Sequence, residues 1–193
     1  MLQDLVYNLC IELAEKFGRD PYGMRRSPKP GTAGEASPLI FIVAGEASGD
    51  KLGARLITAL REKTEGCVRF AGVGGEAMVA QGLQSLFPCQ ELALVGLFEI
   101  LLEYPRAYRR GLQVVEAIAN LRPDLIVFIH VPTFSYRVGR RLMPLGIPIV
   151  QYVAPQAWIY RHPHKVIVGK RVFEHLISII PFEPAFFAKH GLV

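Results

Sequence analysis

The chain has 193 residues, enough for one domain or a little more, and 51% of them are hydrophobic, which excludes a globally disordered protein. Its formal charge is +5, from 22 Lys and Arg against 17 Asp and Glu, and Cys10, Cys67 and Cys89 are too few and too widely spaced for a disulfide framework or a CxxC-type zinc site. No run of about 18 uncharged apolar residues is present to span a bilayer.

Residues 1–37 differ in composition from the rest. Leu2, Leu5, Val6, Leu9, Leu13 and Phe17 recur at helical spacing. The stretch 18–38 is rich in Gly, Pro, Ser and Arg and reads as a linker. Asp4, Glu12 and Glu15 break any resemblance to a secretory signal, so the expected setting is the cytoplasm.

From residue 39 the chain alternates between strand-like and helix-like patterns. Short Ile- and Val-rich runs place strands at 39–44, 68–72, 125–130, 148–153 and 176–180. Helical spacing places helices at 50–63, 75–82, 94–102, 105–121, 135–145 and 183–190. Strands that are apolar throughout suit a sheet covered on both faces. The predicted fold is therefore α/β, a Rossmann-like doubly wound parallel sheet over residues 38–193, with residues 1–37 as an N-terminal helix and flexible linker.

Five segments fall at strand ends, where such a sheet binds ligands. In 45-GEASGD-50, Gly45 and Gly49 flank Glu46 and Ser48, and Asp50 follows. The plain alternative is an ordinary turn with Ser48 or Asp50 as an N-cap. The segment is neither a GxGxxG fingerprint nor a P-loop. The next, 71-AGVGGEAM-78, offers Gly74 and Gly75 for close backbone approach. The third, 93-ALVGLFEILLEY-104, is a dense apolar patch containing Glu99, either core helix or an acyl-chain or membrane contact. The fourth, 129-IHVPTF-134, puts His130 at the end of the most apolar strand. The last, 152-YVAPQAWIYRHPHK-165, gathers Trp158 and Arg161 with tyrosines and histidines, groups able to stack on a sugar or base and to pair with phosphate. Basic residues concentrate in the second half, including Arg106, Arg109, Arg110, Arg137, Arg140 and Arg141. They suit phosphates or are simply solvated, and no nucleic-acid-binding signature accompanies them.

In this order AGEASGD (44–50), FAGVGG (70–75), L-V-G followed by Glu99, I-x-x-P-x-F (129–134), YVAPQAW (152–158) and PFE (181–183) resemble the lipid-A-disaccharide synthase family, over about residues 39–193. The resemblance implies a GT-B architecture, two Rossmann-like domains across a cleft, of which this chain is the N-terminal half. It implies transfer of 2,3-diacylglucosamine from its UDP donor to 2,3-diacylglucosamine 1-phosphate, giving a β-1,6-linked disaccharide 1-phosphate. It also implies no metal or other cofactor, no nucleic-acid partner, and peripheral association with the anionic cytoplasmic face of the bacterial inner membrane.

Carried onto this sequence, the family strand end I-D-x-P-[DE]-F has His130 where the leading catalytic-base candidate, an Asp, is usual, and Thr133 at the second acidic position. An imidazole can serve as a general base, so His130 is the first catalytic candidate, with Glu46 and Glu99 behind it. Gly45, Ser48, Gly49, Asp50, Gly74 and Gly75 would shape the crevice, with Trp158 and Arg161 at the substrate. Leu94, Val95, Leu97 and Phe98 would meet acyl chains or membrane. The C-terminal UDP-binding domain of the family is expected to be absent from the chain, and is missing or separately encoded. The alternative is a non-catalytic lipid- or membrane-binding remnant.

Overall fold

The computed structural model describes residues 37–92, 97–155 and 172–189, with 97–104 described by their backbone alone. Six strands form one sheet: β1 (Leu39–Ala44), β2 (Arg69–Gly74), β3 (Gln84–Pro88), β4 (Leu125–Ile129), β5 (Ile149–Tyr152) and β6 (His175–Ile177). Their order is β3-β2-β1-β4-β5-β6, and every pairing is parallel. The helices are α1 (Ala47–Lys63), α2 (Glu76–Ala80), α3 (Leu97–Leu121), α4 (Pro132–Leu142) and α5 (Glu183–Ala188). This is the Rossmann-like doubly wound fold expected from the alternation of patterns.

The centre of the sheet follows from composition. Every residue of β1 (LIFIVA) and of β4 (LIVFI) is buried, because helices cover both faces. The two-residue period then sorts side chains. Ile40, Ile42 and Ala44 pack with Leu56, Ile57 and Leu60 of α1 and with Val127 and Ile129. Phe41 and Val43 pack with Val114 and Ile118 of α3, Val138 and Leu142 of α4, and Phe128. Full burial of a side chain such as Phe41 or Phe128 contributes roughly 1.5–3 kcal/mol. The Asp124 carboxylate accepts the Leu39 amide at 2.9 Å, which ties the entry of β4 to the entry of β1.

Register sets up the crevice. Ala44 pairs with Ile129, so β1 and β4 end side by side, and the residues that follow them emerge together. The chain leaves β1 through α1 toward β2 and leaves β4 through α4 toward β5, in opposite directions. The gap between the ends of β1 and β4 is thus the topological switch point, where open α/β sheets bind ligands.

Several sequence expectations need correction. The edge strand β3 was not expected; its sequence QSLFP has one buried residue, too little apolar pattern to register. The helices expected at 94–102 and 105–121 are one helix, Leu97–Leu121, which continues through Pro105. A proline there removes one helical hydrogen bond, and reading it as a helix start gave the false break. Helix α4 starts at Pro132 rather than 135, and α1 starts at Ala47 rather than 50. The last strand is His175–Ile177, shorter than the expected 176–180, and its helix ends at Ala188 rather than 190. The leader at 1–37 lies outside the described residues but for Ser37.

Helix α3 is out of scale with the sheet. Its 25 residues extend about 37 Å, whereas a six-residue strand such as β1 extends about 20 Å. Val114 and Ile118 sit on the sheet, and the helix runs back toward the start of β4. Its N-terminal turns therefore pass beyond the crevice edge of the sheet.

Candidate active site at the sheet switch point

Glu46 and His130 meet at the switch point. The first follows β1 and the second follows β4, and Glu46 Oε1 lies 3.1 Å from His130 Nδ1. Both are partly open to solvent, with side-chain exposures of 47% and 34%, so an incoming molecule can reach them. The same carboxylate oxygen accepts the Ser48 hydroxyl. Glu46 is the N-cap residue of α1 but makes no side-chain capping bond, and its carboxylate serves the crevice instead. Ser48 and Asp50 lie inside the first turn of α1, so neither is its N-cap, and the plain-turn alternative does not hold in that form.

Backbone conformation fixes this pairing. His130 has φ 63°, the left-handed region that non-glycine residues seldom occupy, although His is among the more tolerant. Its amide donates to Tyr152 O at 3.2 Å, extending the ladder one residue past β4. Val153 also has a positive φ, 69°, although it is β-branched. Two unfavourable conformations at adjacent strand ends, of order 1–3 kcal/mol each, persist only where the surroundings over-determine them. Here the Val153 amide donates to Ile177 O at 2.9 Å, and Gln151 Nε2 donates to Val153 O at 3.3 Å.

Gln151 and Ser135 form a second support. Gln151 is fully buried in β5, and its Oε1 accepts the Ser135 hydroxyl at 2.6 Å. The Ser135 amide donates to Val131 O at 2.8 Å, which anchors the first turn of α4 just after His130. Sequence reasoning missed both residues. The available signal was a glutamine within the apolar run IVQY, since a polar side chain in a covered strand needs a partner.

Asp50 is a bridge between two loops. Its Oδ1 accepts the amides of Gly75 at 2.8 Å and Met78 at 3.0 Å, and its Oδ2 accepts that of Ala77 at 3.0 Å. A carboxylate on α1 thereby satisfies the open amides at the start of α2, whose own N-cap, Gly75, has no side chain for the task. A Cβ at Gly75 would stand 2.6 Å from Asp50 Oδ2, and one at Gly45 would stand 1.9 Å from Val131 Cγ1. Those two glycines permit the close approach that draws the three loops together. Gly49 lies buried in the first turn of α1, and Gly74 ends β2 with its amide donating to Ser85 Oγ at 3.1 Å.

The remaining candidates fall elsewhere. Glu99, Leu97 and Phe98 belong by backbone to the first turn of α3, and their side chains lie outside the described residues. Leu94, Val95, Trp158 and Arg161 lie outside the described residues altogether. Among the described residues no cluster of three or more His, Cys, Asp or Glu is placed to hold a metal ion, and no helix is long and apolar enough to cross a membrane.

Cys89 lies behind the glycine loop, buried, with its Sγ near Gly75. Burial, and then the Asp50 charge, push its thiol pKa up, so at a given pH it carries less thiolate than an ordinary cysteine. Cys67 is exposed. At mildly alkaline pH a thiol reagent is expected to modify Cys67 quickly and Cys89 only after denaturant is added. Peptide mapping of the labelled chain checks this, and equal labelling rates in the native protein would contradict the packing described.

The family model described as Lipid-A-disaccharide synthetase matches residues 40–193. The chain belongs to that family. Among its relatives, the lipid-A-disaccharide synthase of Rhodospirillum centenum is 47% identical over 156 residues, covering 80% of this chain and 39% of the relative. That of Granulibacter bethesdensis is also 47% identical over 156 residues, covering 81% and 39%. The chain thus spans about two fifths of the length of these synthases, 39% in both cases. In fold it is similar to a putative UDP-N-acetylglucosamine 2-epimerase from Listeria monocytogenes, at TM-score 0.55 and 11% identity over 81% of this chain and 43% of that one. A second UDP-N-acetylglucosamine 2-epimerase gives TM-score 0.55 at 9% identity, over 81% and 46%. At such identities the likeness concerns the fold alone. Within the lipid-A-disaccharide synthetase match lie Glu46 and His130, as do both loops that Asp50 joins.

Proposed function

We propose that residues 38–193 form the N-terminal, Rossmann-like half of a GT-B lipid-A-disaccharide synthase. The reaction moves 2,3-diacylglucosamine from its UDP donor to the 6-hydroxyl of 2,3-diacylglucosamine 1-phosphate. The observation that carries this reading is the Glu46–His130 pair, 3.1 Å apart at the switch point of a family member's sheet. His130 Nε2 takes the proton of the acceptor hydroxyl as the oxygen attacks the anomeric carbon, and the bond to UDP breaks in line. Glu46, facing Nδ1, keeps the other ring proton in place and balances the charge the imidazole gains, the logic of a carboxylate-oriented histidine base. Glu99 is the remaining carboxylate candidate. The 45–50 loop and Gly74–Gly75 shape the crevice, Trp158 and Arg161 contact substrate, and Leu94, Val95, Leu97 and Phe98 meet acyl chains or the cytoplasmic face of the bacterial inner membrane.

A GT-B enzyme works across its cleft, and the chain covers 39% of its relatives' length. In this reading the donor half of the cleft is not among these 193 residues. His130, at the position where the resemblance leads one to expect an aspartate, favours the second reading, a non-catalytic lipid- or membrane-binding remnant. The test is UDP release with both lipid substrates, measured for the chain alone and after addition of the C-terminal half of the Rhodospirillum centenum relative. Turnover is expected only with both halves. Ordinary enzyme turnover by the chain alone (roughly 1 per second or more) overturns the half-cleft reading. No turnover from a demonstrably associated pair favours the remnant.

A further inference from the structure

Gln151 is wholly buried in β5, so it cannot touch a substrate, yet its amide joins the first turn of α4 to the end of β5. The orientation of that amide follows from chemistry. Val153 O lies 3.3 Å from one end of it and can only accept, so that end is Nε2. Oε1 then faces Ser135, whose hydroxyl donates to it at 2.6 Å although Pro132 O stands 3.1 Å from the same hydroxyl. The bond to Val153 falls on a strained position, a β-branched residue at φ 69°. The peptide plane before Val153 carries two contacts. Its N–H donates to Ile177 O at 2.9 Å, and its carbonyl, Tyr152 O, accepts the His130 amide at 3.2 Å. Gln151 holds the plane that follows Val153. Ala154, next in the chain, is buried with Phe187.

We propose that Gln151 is a positioning residue for His130, acting through Val153 and the Tyr152 carbonyl. With the planes on both sides of it held, Val153 keeps its left-handed turn, and the Tyr152 carbonyl stays aimed at the His130 amide. That bond holds His130 at φ 63°, the conformation in which its Nδ1 lies 3.1 Å from Glu46 Oε1. Without the Gln151 donor, Val153 is free to turn toward the negative φ that a β-branched residue prefers. The packed Ala154 resists movement downstream, so the rotation falls on the plane that His130 bonds. The imidazole then leaves Glu46. The proposal rests on the reading of His130 as the base for the acceptor hydroxyl, but its first readout needs no turnover.

That readout is the ring-nitrogen NMR spectrum of the full chain at one pH, with His130→Asn identifying the His130 signals among the five histidines. Glu46→Gln should shift those signals, because the two side chains meet. In a Gln151→Met background the same substitution should shift them by about half as much or less, the loss of coupling expected when a contact opens. Adding Val153→Gly should bring the response back, since glycine takes a positive φ without strain. A merely structural role for Gln151 would not be rescued at position 153. In the reunited enzyme Gln151→Met should lower kcat by about 10–10² with KM little changed, and Val153→Gly should recover most of the loss. If Gln151→Met does not fold, Gln151→Asn, too short to reach Ser135 and Val153 together, replaces it with the same expectations. The proposal is overturned if Glu46→Gln leaves the wild-type signals in place, if its shift keeps full size in the Gln151 variant, or if Val153→Gly fails to restore it. If the ring signals behave as expected while His130→Asn keeps turnover within about threefold, the positioning stands and the base reading alone fails.

Discussion

Replacing Asp50 by alanine is expected to destabilise the fold by about 3 kcal/mol. Its carboxylate accepts three backbone amides from another element, and the residue is buried. Hydrogen bonds to a charged acceptor contribute about 1.5–3 kcal/mol each, and stranding buried donors adds to the loss. Water entering the space left by the side chain recovers part of it, which holds the net figure near the contribution of one or two such bonds. For a domain of this size the melting temperature should fall by about 6–12 °C. Asp50→Asn should lie between wild type and Asp50→Ala. The asparagine oxygen can still accept the Gly75 and Met78 amides, but its NH2 group then faces the Ala77 amide, donor against donor. Ser48→Ala, one turn position away on the exposed side of the loop, should cost less than about 0.5 kcal/mol. Urea unfolding of the three variants measures the series. A loss below about 1 kcal/mol for Asp50→Ala would mean that α2 finds other acceptors and that Asp50 does not hold the glycine loop at the crevice.

The sequence disclosed most of this arrangement, and the reasons are physical. β1 and β4 are unbroken apolar runs, so both their existence and their central place follow from burial on two faces. The loops after them were legible because a strand end followed by glycines and a helix has few alternatives. What stayed hidden depended on contacts distant in sequence. Asp50 drew notice as a polar residue beside a crevice, yet all three of its partners lie 25 to 28 residues away. No local pattern signals that. The left-handed backbone at His130 and Val153 was equally invisible, because neither residue is a glycine. The edge strand β3 escaped for the opposite reason: it buries too little to leave a pattern.

Substitutions at His130 in the reunited enzyme should give the largest change in activity. His130→Asn is expected to lower kcat by about 10²–10⁴, the usual contribution of a positioned general base. Asparagine is the informative replacement because it tolerates the left-handed backbone, here φ 63°, so the fold is not asked to change. Alanine would mix loss of the base with backbone strain. Glu46→Gln should give a smaller loss in kcat, about tenfold, with KM little changed, because it leaves the base present and removes only the charge facing Nδ1. If the two residues act as one unit, the double variant should be no worse than His130→Asn alone. His130→Asp should keep substantial activity. Aspartate also accepts the left-handed region, and a carboxylate at this strand end is what the resemblance leads one to expect. Steady-state UDP release, with chain folding checked by melting, measures all four variants. If His130→Asn stays within threefold of wild type, position 130 is not the base. Glu46, which already lies open at the crevice, then becomes the group to test, followed by Glu99.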